Sequence, residues 1–177
     1  AVRLKEVTIG NSVTAINNYA FQDCVSLPNV TIPDSVTSIG YYAFYDCISL
    51  KDVVLSKGLT NLGYSAFSST AIESIEIPKS LDAGAYHYSN YLYKILVGDN
   101  NISISIPNGP FYLCENLKEV TFEKGTTQIA NALFAGCVGL EKIVIPDTVT
   151  VIEPDAFKGA VRLKEVTIGN SVTAINN

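Results

Sequence analysis

Basic charge is scarce in this sequence: 12 Lys and Arg stand against 17 Asp and Glu in 177 residues, for a net charge of −5, and His87 is the one histidine. An acidic balance offers nothing to a polyanion, which excludes nucleic acid and anionic membrane as principal partners. No apolar run approaches the roughly 18 residues that read as a membrane span. A glycine-rich phosphate loop is also missing, since the glycines fall at repeat turns. His87 has no companion motif for nucleophilic catalysis, and a triad needs an orienting group besides. Gly63-Tyr-Ser-Ala-Phe67 is no nucleophile elbow, because Ala66 and Phe67 recur as part of a repeat. Nothing at the N-terminus resembles a signal peptide, since Ala1 to Glu6 already follows the repeat pattern; this says nothing about compartment, and the chain is expected to be part of something longer.

What is present is apolar and periodic. The chain is 47% hydrophobic, enough for a core and too apolar for disorder. Leu4-Lys-Glu-Val-Thr-Ile9 returns as Leu27-Pro-Asn-Val-Thr-Ile32, Leu50-Lys-Asp-Val-Val-Leu55 and Ile72-Glu-Ser-Ile-Glu-Ile77. It returns again as Leu117-Lys-Glu-Val-Thr-Phe122, Leu140-Glu-Lys-Ile-Val-Ile145 and Leu163-Lys-Glu-Val-Thr-Ile168. Most starts are separated by one fixed period, the step from Leu4 to Leu27. Within a unit, Val7-Thr8-Ile9 alternates apolar and polar residues, as a half-buried strand does. Leu4, Val7 and Ile9 then point inward, with Glu6 and Thr8 outward. A turn pair follows (Gly10-Asn11, Pro33-Asp34, Pro146-Asp147), then a second apolar pair such as Val36 and Ile39. Each unit closes on a segment like Ala20-Phe-Gln-Asp-Cys24, which predicts one helical or 3₁₀ turn.

A unit this short cannot bury its own apolar face, so stacked neighbours must do it. Side chains of one type then form ladders along a solenoid. Phe21, Phe44, Phe67, Phe111, Phe134 and Phe157 occupy one such position and are expected to be a core stack. The expectation is a single solenoid over 1–177 of about seven coils.

The Leu-Lys-Glu-Val-Thr-Ile run, Pro33-Asp-Ser-Val-Thr-Ser-Ile-Gly40 and the Ala-Phe-x-x-Cys segment together resemble the BspA-like leucine-rich repeats. The resemblance covers the chain except Leu81 to Gly109. It implies a right-handed solenoid with parallel strands on a concave side, in surface or secreted proteins of bacteria and some protozoa. It implies an extracellular or cell-surface location and adhesion or coaggregation as the role. The partner would be a protein or glycan on a host or neighbouring cell, without any cofactor.

Two departures break the regularity. After Leu81 the expected aromatic is delayed, by close to the length of one coil, until Phe111. Within this insertion of 82–109, Tyr91 to Val97 and Asn101 to Ile106 are strand-like around a turn at Gly98-Asp-Asn-Asn, which favours a projecting β-hairpin over a degenerate extra coil. Tyr86, Tyr88, Tyr91 and Tyr93 gather there. Tyrosine is enriched at interfaces, and these rings either meet a partner or cover the junction with the solenoid. Second, residues 1–18 recur unchanged as 160–177. This identity points to a second, longer period in a tandem array, running from Ala1 to its counterpart Ala160, or to a deliberately chosen segment. Continuation beyond both ends or end-to-end self-association is expected. Residues resembling Tyr19-Ala20-Phe21 would then follow Asn177.

Cys24, Cys47, Cys114 and Cys137 share one repeat position with Thr70 and Ala160, which suits a small, partly apolar slot better than a metal site. Neighbouring cysteines would lie about one strand spacing apart, within reach of a disulfide, but parallel ladder side chains do not point at each other. Free buried thiols are expected. Asn29-Val-Thr31 and Asn101-Ile-Ser103 match the glycosylation sequon, of consequence only in a eukaryotic source.

The outward strand positions form two columns. One reads Glu6, Asn29, Asp52, Ser74, Glu119, Lys142 and Glu165; the next reads Thr8, Thr31, Val54, Glu76, Thr121, Val144 and Thr167. The first looks mainly acidic, and parallel strands would crowd its like charges. Either this is an ordinary wet face, or Glu6, Asp52, Glu76, Glu119 and Glu165 bind a basic or hydroxyl-rich ligand. The functional expectations are a non-catalytic interaction module first and a segment of a stacked fibre second. An enzyme on a parallel β-helix ranks last, because the acidic column lacks accompanying lysines and arginines.

Overall fold

A computed structural model describes residues 3–81, 93–97, 102–106 and 109–176, with the backbone alone described for 93–97 and 102–106. The strands are β1 (Ala15–Ile16), β2 (Asn29–Thr31), β3 (Ser38–Ile39), β4 (Asp52–Val54), β5 (Asn61–Leu62), β6 (Ser74–Ile77) and β7 (Tyr93–Val97). They continue as β8 (Ile102–Ile106), β9 (Glu119–Phe122), β10 (Gln128–Ile129), β11 (Lys142–Ile145), β12 (Val151–Ile152), β13 (Glu165–Ile168) and β14 (Ala174–Ile175).

The architecture is a parallel β-solenoid with two strand rows. In the longer row β2 pairs with β4, β6 with β9 and β11 with β13, all parallel. In the shorter row β1–β3–β5 and β10–β12–β14 run parallel in register. The pattern follows from alternation: Val30, Ile75, Ile77, Ile143 and Ile145 are buried while Asn29, Thr31, Ser74, Glu76, Lys142 and Val144 are exposed. The first unit differs from expectation. Leu4, Val7 and Ile9 do pack against the core, half-buried, but residues 4–10 join no ladder.

The phenylalanine ladder is continuous. Successive rings from Phe21 to Phe157 stack at centroid distances of 5.1, 5.1, 5.8, 6.2 and 5.7 Å, each within 19° of parallel. Phe44, Phe67, Phe111 and Phe134 are fully buried, surrounded by the Leu27, Leu50, Ile72, Leu117 and Leu140 column. A second ladder is polar: the hydroxyls of Thr37, Thr60, Thr150 and Thr173 donate to the carbonyls of Thr14, Thr37, Thr127 and Thr150 at 3.2–3.4 Å.

The expected helical or 3₁₀ turn is absent from the described residues, and the hydrogen bonds show why. In a 3₁₀ turn every amide bonds back three residues. Here only alternate amides do so: Ala20, Gln22 and Cys24 donate to Asn17, Tyr19 and Phe21. The amides between them leave the coil, Tyr19, Phe21 and Asp23 donating to Tyr41, Ala43 and Tyr45 of the next one at 2.8–3.1 Å. Turning alternate amides outward goes with left-handed backbone at two positions in most coils, and at Leu113 alone in the coil of Phe111. Tyr19, Tyr42, Ser65, Ala132 and Asp155 form one such column; Asp23, Asp46, Ser69, Leu113, Gly136 and Gly159 form the other.

The strand row continues across the insertion without a gap. β6 pairs directly with β9, Ser74 opposite Glu119, and the Phe67 amide donates to Pro110 just as Phe44 donates to Ala66. β7 and β8 form the expected antiparallel hairpin, Tyr93 opposite Ile106. Among the described residues no helix is long and apolar enough to cross a membrane.

Candidate functional site

The outward columns are where this fold can present chemistry, because the inward positions are committed to the core. Glu6, Asp52, Glu76, Glu119 and Glu165 are all exposed. The pairing register corrects the expectation of crowded like charge. Asp52 lies beside Asn29, Glu119 beside Ser74 and Glu165 beside Lys142, so the column is acidic only in every other coil. Lys142 Nζ donates to Glu165 at 2.6 Å. One position earlier, Lys51 meets Glu73 at 3.7 Å and Lys164 meets Glu141 at 3.2 Å. Over the last coils the charges form a checkerboard, Lys118-Glu119, Glu141-Lys142 and Lys164-Glu165 alternating in sign along and across strands. These exposed pairs contribute little stability.

Glu76 sits apart from that column, at a shallow hollow of about 150 Å³ lined also by Val53, Leu55, Lys57, Pro78 and Glu123. Glu123 is held on its rim, accepting the Lys79 amide at 3.1 Å and facing the Lys79 ammonium at 3.7 Å. Tyr86, Tyr88, Tyr91 and His87 lie outside the described residues, and Tyr93 is described only as the first backbone position of β7.

The four cysteines are free and buried. The Cys47 thiol donates to the Phe21 carbonyl and the Cys114 thiol to the Phe67 carbonyl, each at 3.1 Å. Burial removes water from any thiolate, pushing Cys47 and Cys137 up to about 12 and Cys114 up to about 11. Such thiols are packing groups, far from nucleophiles. Among the described residues no three His, Cys, Asp or Glu side chains gather as metal ligands would.

Sequence reasoning missed a second candidate surface. Tyr19, Tyr41, Tyr42, Tyr45 and Tyr64 form one cluster on the turn row of the first three coils. Tyr19 stacks on Tyr42 at 5.6 Å and Tyr41 on Tyr64 at 5.0 Å, while Tyr41 meets Tyr19 edge-on at 5.1 Å. Tyr42 meets Tyr45 and Tyr64 edge-on at 5.1 and 5.0 Å. Tyr19 is 51% exposed and the others are half-buried. Gly63 permits the close approach beneath them, since a Cβ there would lie 2.3 Å from the Tyr41 nitrogen. The signal was available: Tyr19 and Tyr42, like Tyr41 and Tyr64, are one repeat apart.

A family model for the BspA type leucine rich repeat region matches residues 1–94 and 83–177, in six copies. The chain belongs to the BspA-type leucine-rich repeat family. Among solved structures, this BspA-type chain is similar to the pneumococcal vaccine antigen PcpA (TM-score 0.58, 21% identity, covering 96% of this chain and 40% of that one). It is also similar to the T. pallidum leucine rich repeat protein TpLRR (0.56, 24%, 93% and 67%) and to a leucine-rich repeat protein of Eubacterium ventriosum (0.55, 20%, 86% and 42%). At these identities the likeness establishes the fold alone. The BspA-type chain spans between 40% and 67% of the length of those three proteins. None of the curated proteins compared with it matches.

Proposed function

We propose that this chain is a non-catalytic protein-interaction module of a surface or secreted protein. It binds a protein or glycan on a host or neighbouring cell through the long strand row and the tyrosine-rich insertion. The observation that carries this reading is the division along the long strand row: in β2, β6 and β11 the inward residues are consumed by the core, while Asp52, Glu76 and Glu119 remain exposed in fixed rows, as do Glu6 and Glu165 towards the two ends. Rows of solvated side chains at strand spacing suit an extended partner, as solenoid faces generally do. Membership of a leucine-rich repeat family supports interaction over catalysis.

The test is a binding screen of the immobilised chain against purified host extracellular-matrix proteins and glycans. It is repeated with Asp52→Ala/Glu76→Ala/Glu119→Ala and with Tyr91→Ala/Tyr93→Ala. Loss of a ligand with either variant supports the reading; undiminished binding by both variants counts against it.

A structural segment of a long extracellular fibre, assembled by end-to-end stacking of coils, is the second reading. It is favoured by the identity of 1–18 with 160–177, whose strands β1 and β14 occupy the same residues of the repeat. Light scattering and electron microscopy across a concentration series would reveal filaments; a particle of constant mass throughout rules stacking out.

A further inference from the structure

We propose that the tyrosine cluster of the first three coils is a docking site for a basic peptide segment, which lays arginine or lysine side chains across the rings. The site is distinct from the long strand row, and its fate does not depend on the function proposed above.

Only some coils carry these rings. The column of Tyr19 and Tyr42 holds Ser65, Ala132 and Asp155 in other coils, and the column of Tyr41 and Tyr64 holds Asn18 and Asn131. Coils bearing the smaller residues still stack, Phe134 on Phe157 at 5.7 Å against 5.1 Å between the tyrosine-bearing coils. Tyr19 and Tyr42 moreover sit at φ of 61° and 55°, where any side chain with a Cβ is disfavoured. Bulky aromatics at partly open positions that elsewhere hold serine and alanine, Tyr19 more than half exposed, offer a surface that a partner can use.

The geometry is suited to a cation. Each ring is fixed against a neighbour, stacked or edge-on, at 5.0–5.6 Å, so little side-chain freedom is left to lose on binding. Ring faces carry partial negative charge and attract guanidinium or ammonium groups.

Charge selects the partner further. From Glu6 to Leu50 the chain carries no lysine, arginine or histidine, while Glu6, Asp23, Asp34 and Asp46 are present. Asp23 and Asp46 belong to the same turn row as the rings, and among the described residues no basic side chain pairs with either. The equivalent surface farther along is neutralised, Lys158 pairing with Asp155 at 3.1 Å. A sugar would also stack on tyrosine, but it would give this local excess of acid nothing to do.

The probes are a fluorescein-labelled peptide of alternating Arg and Gly, its Glu-for-Arg counterpart and a neutral oligosaccharide, each titrated against the whole 177-residue chain at two salt concentrations. Binding is followed by fluorescence polarisation and by the chain's own tyrosine emission, which no tryptophan obscures. The basic peptide should bind, more weakly at higher salt. Tyr41→Asn/Tyr42→Ser, which installs residues found in the same columns elsewhere, should weaken it about tenfold or more. Asp23→Asn/Asp46→Asn should flatten the salt dependence with the rings intact, and it carries the test if the tyrosine variant melts early. Asp52→Ala/Glu119→Ala, on the long strand row, should bind as the parent does. Equal binding of the acidic peptide, preference for the oligosaccharide, full affinity in both cluster variants, or loss of binding in the strand-row variant would each overturn the proposal.

Discussion

Phe67 and Phe111 stack with centroids 5.8 Å apart and planes 10° from parallel, although the whole insertion lies between them in sequence. Every other step of the ladder joins residues one repeat apart. The core therefore runs past the insertion uninterrupted, and the ring contact marks where the coil resumes. Phe67 touches a ring on each side and is fully buried. Phe67→Ala should lose about 3–5 kcal/mol in urea unfolding, and Phe67→Leu about 1.5 kcal/mol or less. A loss below about 1 kcal/mol for the alanine variant would mean the ladder is not the principal source of cohesion.

Burial of the thiols predicts silence toward Ellman's reagent at pH 8, and reaction of all four in guanidinium. It also predicts a direction with pH. Unfolded thiols ionise near 9.0, whereas Cys47, Cys114 and Cys137 resist ionisation until about 11–12. Stability from these groups is complete below pH 9 and is lost as pH rises from there through 11–12. Cys47→Ala should shrink the fall in urea midpoint between pH 9 and 11 relative to the parent; an unchanged slope would contradict the assignment.

Leu113 holds φ at 56° and is 39% exposed, while Gly136 and Gly159 fill its column in the following coils. Leu113→Gly relieves the crowding of its Cβ against the following carbonyl, about 1–2 kcal/mol, but gives up the buried larger part of the leucine and frees the unfolded backbone, about 2 kcal/mol together. The terms nearly cancel, so stability should change by less than about 1 kcal/mol. A thermal melt shifted further than that in either direction would refute this.

Gly63 is the opposite case. Its added Cβ would fall against main chain, 2.3 Å from the Tyr41 nitrogen, and main chain cannot swing aside. Gly63→Ala should cost about 1–3 kcal/mol or more, with a changed near-ultraviolet tyrosine signal because coils and rings separate together. Wild-type stability with an unaltered tyrosine spectrum would remove the argument for close approach.

The ladders were legible in the sequence because burial constrains chemistry: Phe44, Leu50 and Ile39 recur in kind one coil away, at Phe67, Ile72 and Leu62. The hairpin was legible because alternation in Ile102-Ser-Ile-Ser-Ile106 is a local property. The turn row was not. Whether the Phe21 amide bonds within its own coil or to Ala43 depends on a neighbour's position, which no local pattern states, so a helical turn was the natural expectation. The charge pattern was legible: the column in sequence order already sets Asn29 beside Asp52 and Ser74 beside Glu119, and the pairing keeps those neighbours. The tyrosine cluster repeats over its first coils, Tyr19 with Tyr42 and Tyr41 with Tyr64, but its columns pass to Asn131 and Ala132 farther along, so it does not stand out as the phenylalanine ladder does.

The alternating amides of the turn row carry a consequence for how such a chain can change over time. Because each coil is stitched to the next through main-chain groups at Phe21, Phe44, Phe67 and Phe134, the pitch is indifferent to which side chains decorate it. Surface rows are then free to be rewritten residue by residue, and whole excursions can be spliced in wherever both cut ends return to a stitch. The Phe67 amide meeting the Pro110 carbonyl is the seam of one such splice.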